Sequence, residues 1–189
     1  VETKQSFALE KRLQDLYDAH TERSKLIEWN YYDYLPWEKG SSFTLNPWNE
    51  SQRTLPTEIV TAIETSMLTE INLPWYTAYL KDMFRDGLAP LQGFVHNWVA
   101  EEDQHATALE NYLVLTRNSD PKELGVLKRE MMVTGWDSTF ASPIATMGYT
   151  AIQELATVVF YQKIAKSSKE HDETLSVLLT RLSKDESLH

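Results

Sequence analysis

Apolar and polar residues alternate along most of the chain at helical spacing. Leu9, Leu13, Leu16 and Tyr17 recur every three or four residues and predict a first helix over Ser6–Lys25. A second starts near Pro56 and Thr57, with Glu58 in its first turn and Ile59, Ile63 and Met67 on one face. Pro74 should kink or restart it. Pro90 opens a long helix to about Leu115, and Asp120 with Pro121 caps a shorter one that Gly135 ends. After a loop over 136–146, an apolar helix is expected over Met147–Lys166. A last helix is expected over Asp172–His189, with Leu175, Leu178, Leu179 and Leu182 on its face. Between the first two helices, Trp29–Arg53 is irregular, broken by Pro36, Gly40 and Pro47 and rich in tryptophan (29, 37 and 48). A loop this long is usually functional or packed by its own side chains. No segment alternates with period two and no repeat is visible. The expected fold is therefore all-α, with residues 1–189 forming one domain.

Acids and histidines interrupt these apolar faces. Two of the five histidines follow a glutamate by three residues, giving Glu102-x-x-His105 and Glu186-x-x-His189. On a helix such a pair shares a face and offers one carboxylate and one imidazole to a single metal. Glu102 and His105 continue the face of Phe94, Trp98, Leu109 and Tyr112. Glu186 and His189 continue that of Leu179 and Leu182. Glu70 follows Met67, and Glu154 lies among Ala151, Val158 and Tyr161. An ionised carboxylate facing a core is costly unless paired or metal-bound. One Glu from each of two helices plus a Glu-x-x-His from each of two others is the ligand pattern of ferritin-like di-iron bundles. Four carboxylates neutralise two divalent ions, whereas the empty site should take up protons or loosen. Oxygen ligands with one imidazole per metal suit iron, or manganese as a substitute, better than structural zinc.

Composition narrows the field. The absence of cysteine excludes disulfides, iron–sulfur clusters and thiol nucleophiles. A net charge of −10 argues against a nucleic-acid partner. No run of residues is long and apolar enough for a transmembrane segment. Six Trp and nine Tyr suit a core with polar contents, because both need partners for their polar atoms when buried.

Five stretches in order resemble the soluble acyl-[acyl-carrier-protein] desaturases, in particular the mycobacterial-type branch. They are Trp29-Asn30 with Asp33-Tyr34-Leu35-Pro36, Thr69-Glu70-Ile71-Asn72-Leu73-Pro74, Ala100-Glu101-Glu102-Asp103-Gln104-His105, Gln153-Glu154-Leu155-Ala156-Thr157, and Asp185-Glu186-Ser187-Leu188-His189. The resemblance implies that Glu102 and Glu186 bridge two irons. Glu70 and His105 would complete one iron, and Glu154 and His189 the other. It further implies O2-dependent removal of two hydrogens from a saturated acyl chain on acyl carrier protein. A ferredoxin-type donor, a homodimer and a cytoplasmic location also follow from it. Thr157 would face the O2 side of the irons as a catalytic residue. Asp185 would orient a ligand histidine, with Trp29 as its partner.

Two departures stand out. Gln104 occupies the position of an arginine and Asp103 that of an asparagine, which would change support for Glu102. The chain stops on His189, so the domain is expected to be incomplete at its C-terminus. The iron held by Glu154 and His189 is expected to be the weaker, because helix ends fray. Alternatives are a desaturase-like scaffold that binds acyl chains or acyl carrier protein without turnover, a ferritin-type store, or another di-iron oxidase. A ribonucleotide-reductase small subunit is disfavoured because Leu109 stands where its radical tyrosine would be. Lys163, Lys166 and Lys169 form the best basic cluster for acidic acyl carrier protein.

Overall fold

The computed structural model describes residues 2–26, 28–85, 89–140 and 142–189, and among these residues there is no strand. Seven helices are described: α1 (Glu2–Leu26), α2 (Thr57–Ile71), α3 (Leu73–Met83), α4 (Ala89–Leu115), α5 (Pro121–Thr134), α6 (Pro143–Ser168) and α7 (Glu173–Glu186). Helices α2, α4, α7 and α6 pack in a closed ring, each against the next, which makes a four-helix bundle. Its apolar core joins Ile59, Ile63 and Met67 of α2 to Leu109, Tyr112 and Leu113 of α4. Tyr161 of α6 and Leu175, Leu178, Leu179 and Leu182 of α7 complete it. The remaining helices lie outside the ring: α1 and α3 on α4, and α5 on α2.

Local chemistry accounts for the boundaries. Helix α2 ends at Asn72, whose carbonyl accepts the Trp75 and Tyr76 N–H groups, so the chain restarts as α3 with Pro74 in its first turn. The Asp120 side chain caps α5, and Gly135 at φ +69° ends it. The long loop is a packed segment with three short 3₁₀ turns at Tyr31–Tyr34, Trp37–Lys39 and Glu50–Gln52. The Asn118 side chain accepts N–H bonds from Thr54 and Leu55 (both 2.9 Å), and Arg117 donates to the Asn46 carbonyl (2.9 Å).

Three boundary or face expectations need correction. Helix α6 begins at Pro143 rather than Met147, because the Ser142 hydroxyl caps it by accepting the Ala145 N–H (3.2 Å). The last α-helix stops at Glu186. The chain then tightens into 3₁₀-type bonds, Leu188 N–H to Asp185 O (2.9 Å) and His189 N–H to Glu186 O (3.1 Å). On α1, Leu9 and Leu16 are more than half exposed, while its polar His20 is buried.

Candidate metal centre

Each bundle helix delivers acid to one level of the core. Glu70 comes from the last turn of α2, Glu102 and His105 from mid-α4, Glu154 from mid-α6 and Glu186 from the end of α7. His189 lies three residues beyond the end of α7, and its side chain is wholly buried. The six predicted ligands converge as two overlapping groups. Glu70, Glu102, His105 and Glu186 form one, and Glu102, Glu154, Glu186 and His189 the other. Within each group the donor atoms lie within 4.8 Å of one another. Glu102 and Glu186 belong to both, so each can bridge.

Both histidines turn Nδ1 to the cluster. His105 Nδ1 lies 2.9 Å from Glu102 Oε2 and 3.1 Å from Glu186 Oε1. His189 Nδ1 lies 2.6 Å from Glu102 Oε1, 3.2 Å from Glu154 Oε2 and 3.3 Å from Glu186 Oε2. Nevertheless Glu102 Oε1, His105 Nδ1 and Glu186 Oε1 are buried without a hydrogen bond of proper geometry. Convergent buried donors that do not satisfy one another are what a cation between them would satisfy. The residues therefore fit a pair of divalent metals. Oxygen-rich sets with one imidazole each are suited to iron or manganese.

The electrostatics describe a metal-free cluster held together by protons. Burial would lower the affinity of His105 and His189 for a proton, but the Glu102 charge outweighs it, aided by Glu186 at His105. Both imidazoles are held well above their ordinary range. Burial, with the charges of Glu102 and Glu186, pushes Glu70 well up. Glu154 is pushed up to about 8, chiefly by burial. Glu102 moves the other way, because the two imidazolium charges outweigh its burial. Four of the six predicted ligands thus favour the protonated form, as expected of carboxylates and imidazoles crowded together in low dielectric.

A second set of groups holds the ligands. His105 Nε2 donates to Asp185 Oδ2 (3.0 Å), which also accepts the Trp29 indole N–H (2.8 Å). The Trp29–Asp185 pairing expected from the sequence is therefore present, at the metal-side histidine of the other helix. Arg181 lies over the Trp29 ring at 5.2 Å. Sequence reasoning missed three members. The Tyr161 hydroxyl donates to Glu70 Oε1 (2.7 Å). Glu101 faces His189 Nε2 at 3.4 Å and His20 Nε2 at 3.1 Å. Despite partial burial, the neighbouring imidazoles of His189 and His20 hold the Glu101 carboxyl well below its ordinary range. A signal for Glu101 existed, since it precedes Glu102 as Asp185 precedes Glu186. Tyr161 lies two turns after Glu154 and was visible as part of the same face. Nothing local marks His20.

Two other sequence expectations stand differently. Gln104 is half-buried and makes no hydrogen bond to the cluster. The Thr157 hydroxyl donates to the Gln153 carbonyl of its own helix (3.1 Å). Thr157 nevertheless lines a cavity of about 440 Å³ whose wall includes Glu70, Trp98, Glu102, Glu154 and Glu186. A second, more apolar cavity of about 350 Å³ lies between α1, α3, α4 and α6 and reaches Glu154 and His189.

A model of the fatty acid desaturase family matches residues 6–189. The chain belongs to the fatty acid desaturase family. It is 32% identical to DesA1 of Mycobacterium tuberculosis, provisionally named an acyl-[acyl-carrier-protein] desaturase, over 85% of this chain and 50% of that protein. Identity to DesA2 of the same organism is 30%, over 96% of this chain and 67% of the relative. A seed-specific chloroplastic stearoyl-[acyl-carrier-protein] 9-desaturase of Brassica napus is 30% identical over 85% of this chain and 43% of its own. The X-ray structure of DesA2 superposes with a TM-score of 0.66 at 28% identity, covering 96% of this chain and 66% of that one. The ferritin-like all-α fold is thus shared. The chain spans about half the length of DesA1. Among its described residues, no helix of this desaturase-family chain is long and apolar enough to cross a membrane.

Proposed function

We propose that Glu70, Glu102, His105, Glu154, Glu186 and His189 hold two iron ions, and that the protein desaturates a saturated acyl chain carried on acyl carrier protein. The observation that carries this reading is the pair of four-donor groups sharing Glu102 and Glu186, set in the wall of a 440 Å³ cavity. That volume is in the range of small-molecule sites, roughly 300–1,000 Å³. When bound, an iron pair supplies the O2-dependent redox chemistry that breaking an unactivated C–H bond requires and that side-chain acids and bases lack.

The chain's own residues position and protect. Leu68, Leu73, Tyr76 and Trp98 give the cavity an apolar wall that an acyl chain can lie along. Thr157 presents its hydroxyl at the same wall. Its proton is given to Gln153 O, which leaves the oxygen lone pairs free to accept a proton or hydrogen bond from the reacting side. Asp185 and Trp29 fix the His105 ring so that Nδ1 faces inward. Electrons come from a ferredoxin-type donor in this reading, and the location is the cytoplasm. A homodimer is supported by Ile152, Leu155 and Val159, exposed apolar residues on one side of α6, and light scattering reads it directly. Lys163, Lys166 and Lys169 are exposed at the end of α6 and just beyond it, as docking of an acidic carrier requires.

Iron-loaded protein given stearoyl- or palmitoyl-acyl carrier protein, O2 and a reduced ferredoxin should yield a product two hydrogens lighter by mass spectrometry. Two bound irons with no such product on any chain length would favour the scaffold reading. In the same assay, charge reversal at the three lysines should raise KM for the carrier-bound substrate several-fold and leave kcat unchanged. An unchanged KM would remove them as the docking site.

A further inference from the structure

The outer supports of the two ligand histidines are exchanged between helices. Asp185, next to Glu186 on α7, faces Nε2 of His105 on α4 (3.0 Å). Glu101, next to Glu102 on α4, faces Nε2 of His189 beyond α7 (3.4 Å). Each outer carboxylate has a further partner. For Asp185 it is Trp29. For Glu101 it is His20, from α1.

We propose that His20 is a positioning residue for the second metal position: it ties α1 to Glu101 and to the Leu188 carbonyl, and through both it holds His189 in place to ligate. This rests on the two-metal reading above.

Three observations carry it. First, one imidazole reaches both ends of the problem. Its Nε2 lies 3.1 Å from Glu101 Oε2 and its Nδ1 lies 3.2 Å from the Leu188 carbonyl oxygen. Second, both contacts lead to His189: Glu101 Oε2 lies 3.4 Å from its Nε2, and Leu188 is the residue before it in the chain. Third, α1 is seated at this level by His20 and Tyr17 rather than by Leu9 and Leu16. Leu9 and Leu16 are exposed, and His20 is 8% exposed with its ring against Phe94 at 5.0 Å. One turn earlier, Tyr17 packs over Gly93 of α4, where an added Cβ would come within 3.1 Å of the Tyr17 ring. Glycine at 93 thus lets α1 approach closely enough for His20 to reach Glu101.

The test is anaerobic titration with Fe(II), repeated with Co(II) as a spectroscopic probe. The proteins compared are wild type, His20→Ala, His20→Gln, Glu101→Gln and the double variant His20→Ala/Glu101→Gln. Wild type should bind two ions. His20→Ala and Glu101→Gln should each weaken one ion about 10- to 100-fold, the usual effect of losing a support behind a metal ligand, with the other within about twofold. His20→Gln retains an N–H donor and should recover part of the loss. The effect of His20→Ala should shrink in the Glu101→Gln background, since the two act in one chain. Position is assigned by background. With Glu154→Gln removing a ligand of the second position, His20→Ala should no longer matter, whereas with Glu70→Gln it should act fully. Circular dichroism and thermal unfolding check folding. If His20→Ala does not fold, Glu101→Gln, nearly isosteric, carries the test. Equal weakening of both ions, or an unchanged second ion in His20→Ala and Glu101→Gln, overturns the latch alone. Wild-type protein that takes up neither metal overturns the two-metal reading and the latch with it.

Discussion

Glu102→Gln should abolish binding of both metals and also destabilise the metal-free protein, whereas Glu154→Gln should lose one metal and make the metal-free protein more stable. The opposite signs follow from the different charge states of two buried carboxylates. Glu102 is held ionised by His105 and His189, with contacts of 2.9 and 2.6 Å. Neutralising it leaves two buried imidazoles short of their counter-charge, and breaking a buried pair from one side costs roughly 3–5 kcal/mol. Glu154 is pushed up to about 8 by burial and is mostly uncharged at pH 7, so a glutamine reproduces its shape and its neutrality. The unfolded wild-type carboxyl is ionised at pH 7 and must take up a proton on folding, which the glutamine need not, so the variant should already be the more stable there. At pH 9 the wild-type carboxyl must instead ionise in a buried site, and the advantage should persist. As metal ligands the two also differ, because Glu102 belongs to both donor groups and Glu154 to one. Desaturation should fall at least about 100-fold in both variants, since ligands matter no less than the groups behind them. Metal analysis and denaturant unfolding in chelator at pH 7 and 9 read all four effects. Equal destabilisation by the two substitutions would show that the charge assignment is wrong.

Metal-free and metal-loaded protein should respond to pH in opposite ways. Glu70, His105, Glu154 and His189 all have folded-state values raised above their unfolded ones. The folded metal-free chain therefore binds more protons than the unfolded chain. The stabilisation from His105 and His189 is full below about 6.5 and is lost as pH rises through their raised values. Glu70 and Glu154 add in the same direction, Glu154 over the span from about 4.5 to about 8. Glu101 and Glu102 oppose this only in acid, because their depressed values give stability that is lost as pH falls below the ordinary carboxylate range. The metal-free melting temperature should thus fall between pH 6 and 9. Metal must displace these protons, so its affinity should rise over the same interval, with measurable proton release into weak buffer. Thermal scans in chelator and in excess Fe(II) under argon check both halves. A metal-free melting temperature that rises with pH would contradict the proton-held cluster.

The fold class and the convergence of the six predicted donors were legible in the sequence for a local reason. Each ligand interrupts an apolar helical face, and helical periodicity alone brings Glu102 to His105 and sets Glu70 and Glu154 inward. Asp185 and Trp29 were legible only through resemblance to a family, because the indole and the carboxylate lie 156 residues apart. Local signals also placed the caps of α5 and the restart of α3. The Ser142 cap starts α6 one turn before the apolar run that predicts it.

What only tertiary structure decided is how helices meet. Periodicity defines a face but not the neighbour that covers it: of the predicted α1 face, Leu9 and Leu16 are exposed while Leu13 and Tyr17 are partly buried. The crosswise support of the two histidines depends on α4 and α7 lying side by side at one level. The His20 contacts span 81 and 168 residues, distances over which no local pattern operates. His189 makes the same point: its spacing from Glu186 marks a shared face, but packing of α1, α4 and α6 around it buries its side chain. The sequence determined which atoms could bind a metal. The packing of distant helices decided which groups hold those atoms still, because desolvation and support are properties of neighbours in space.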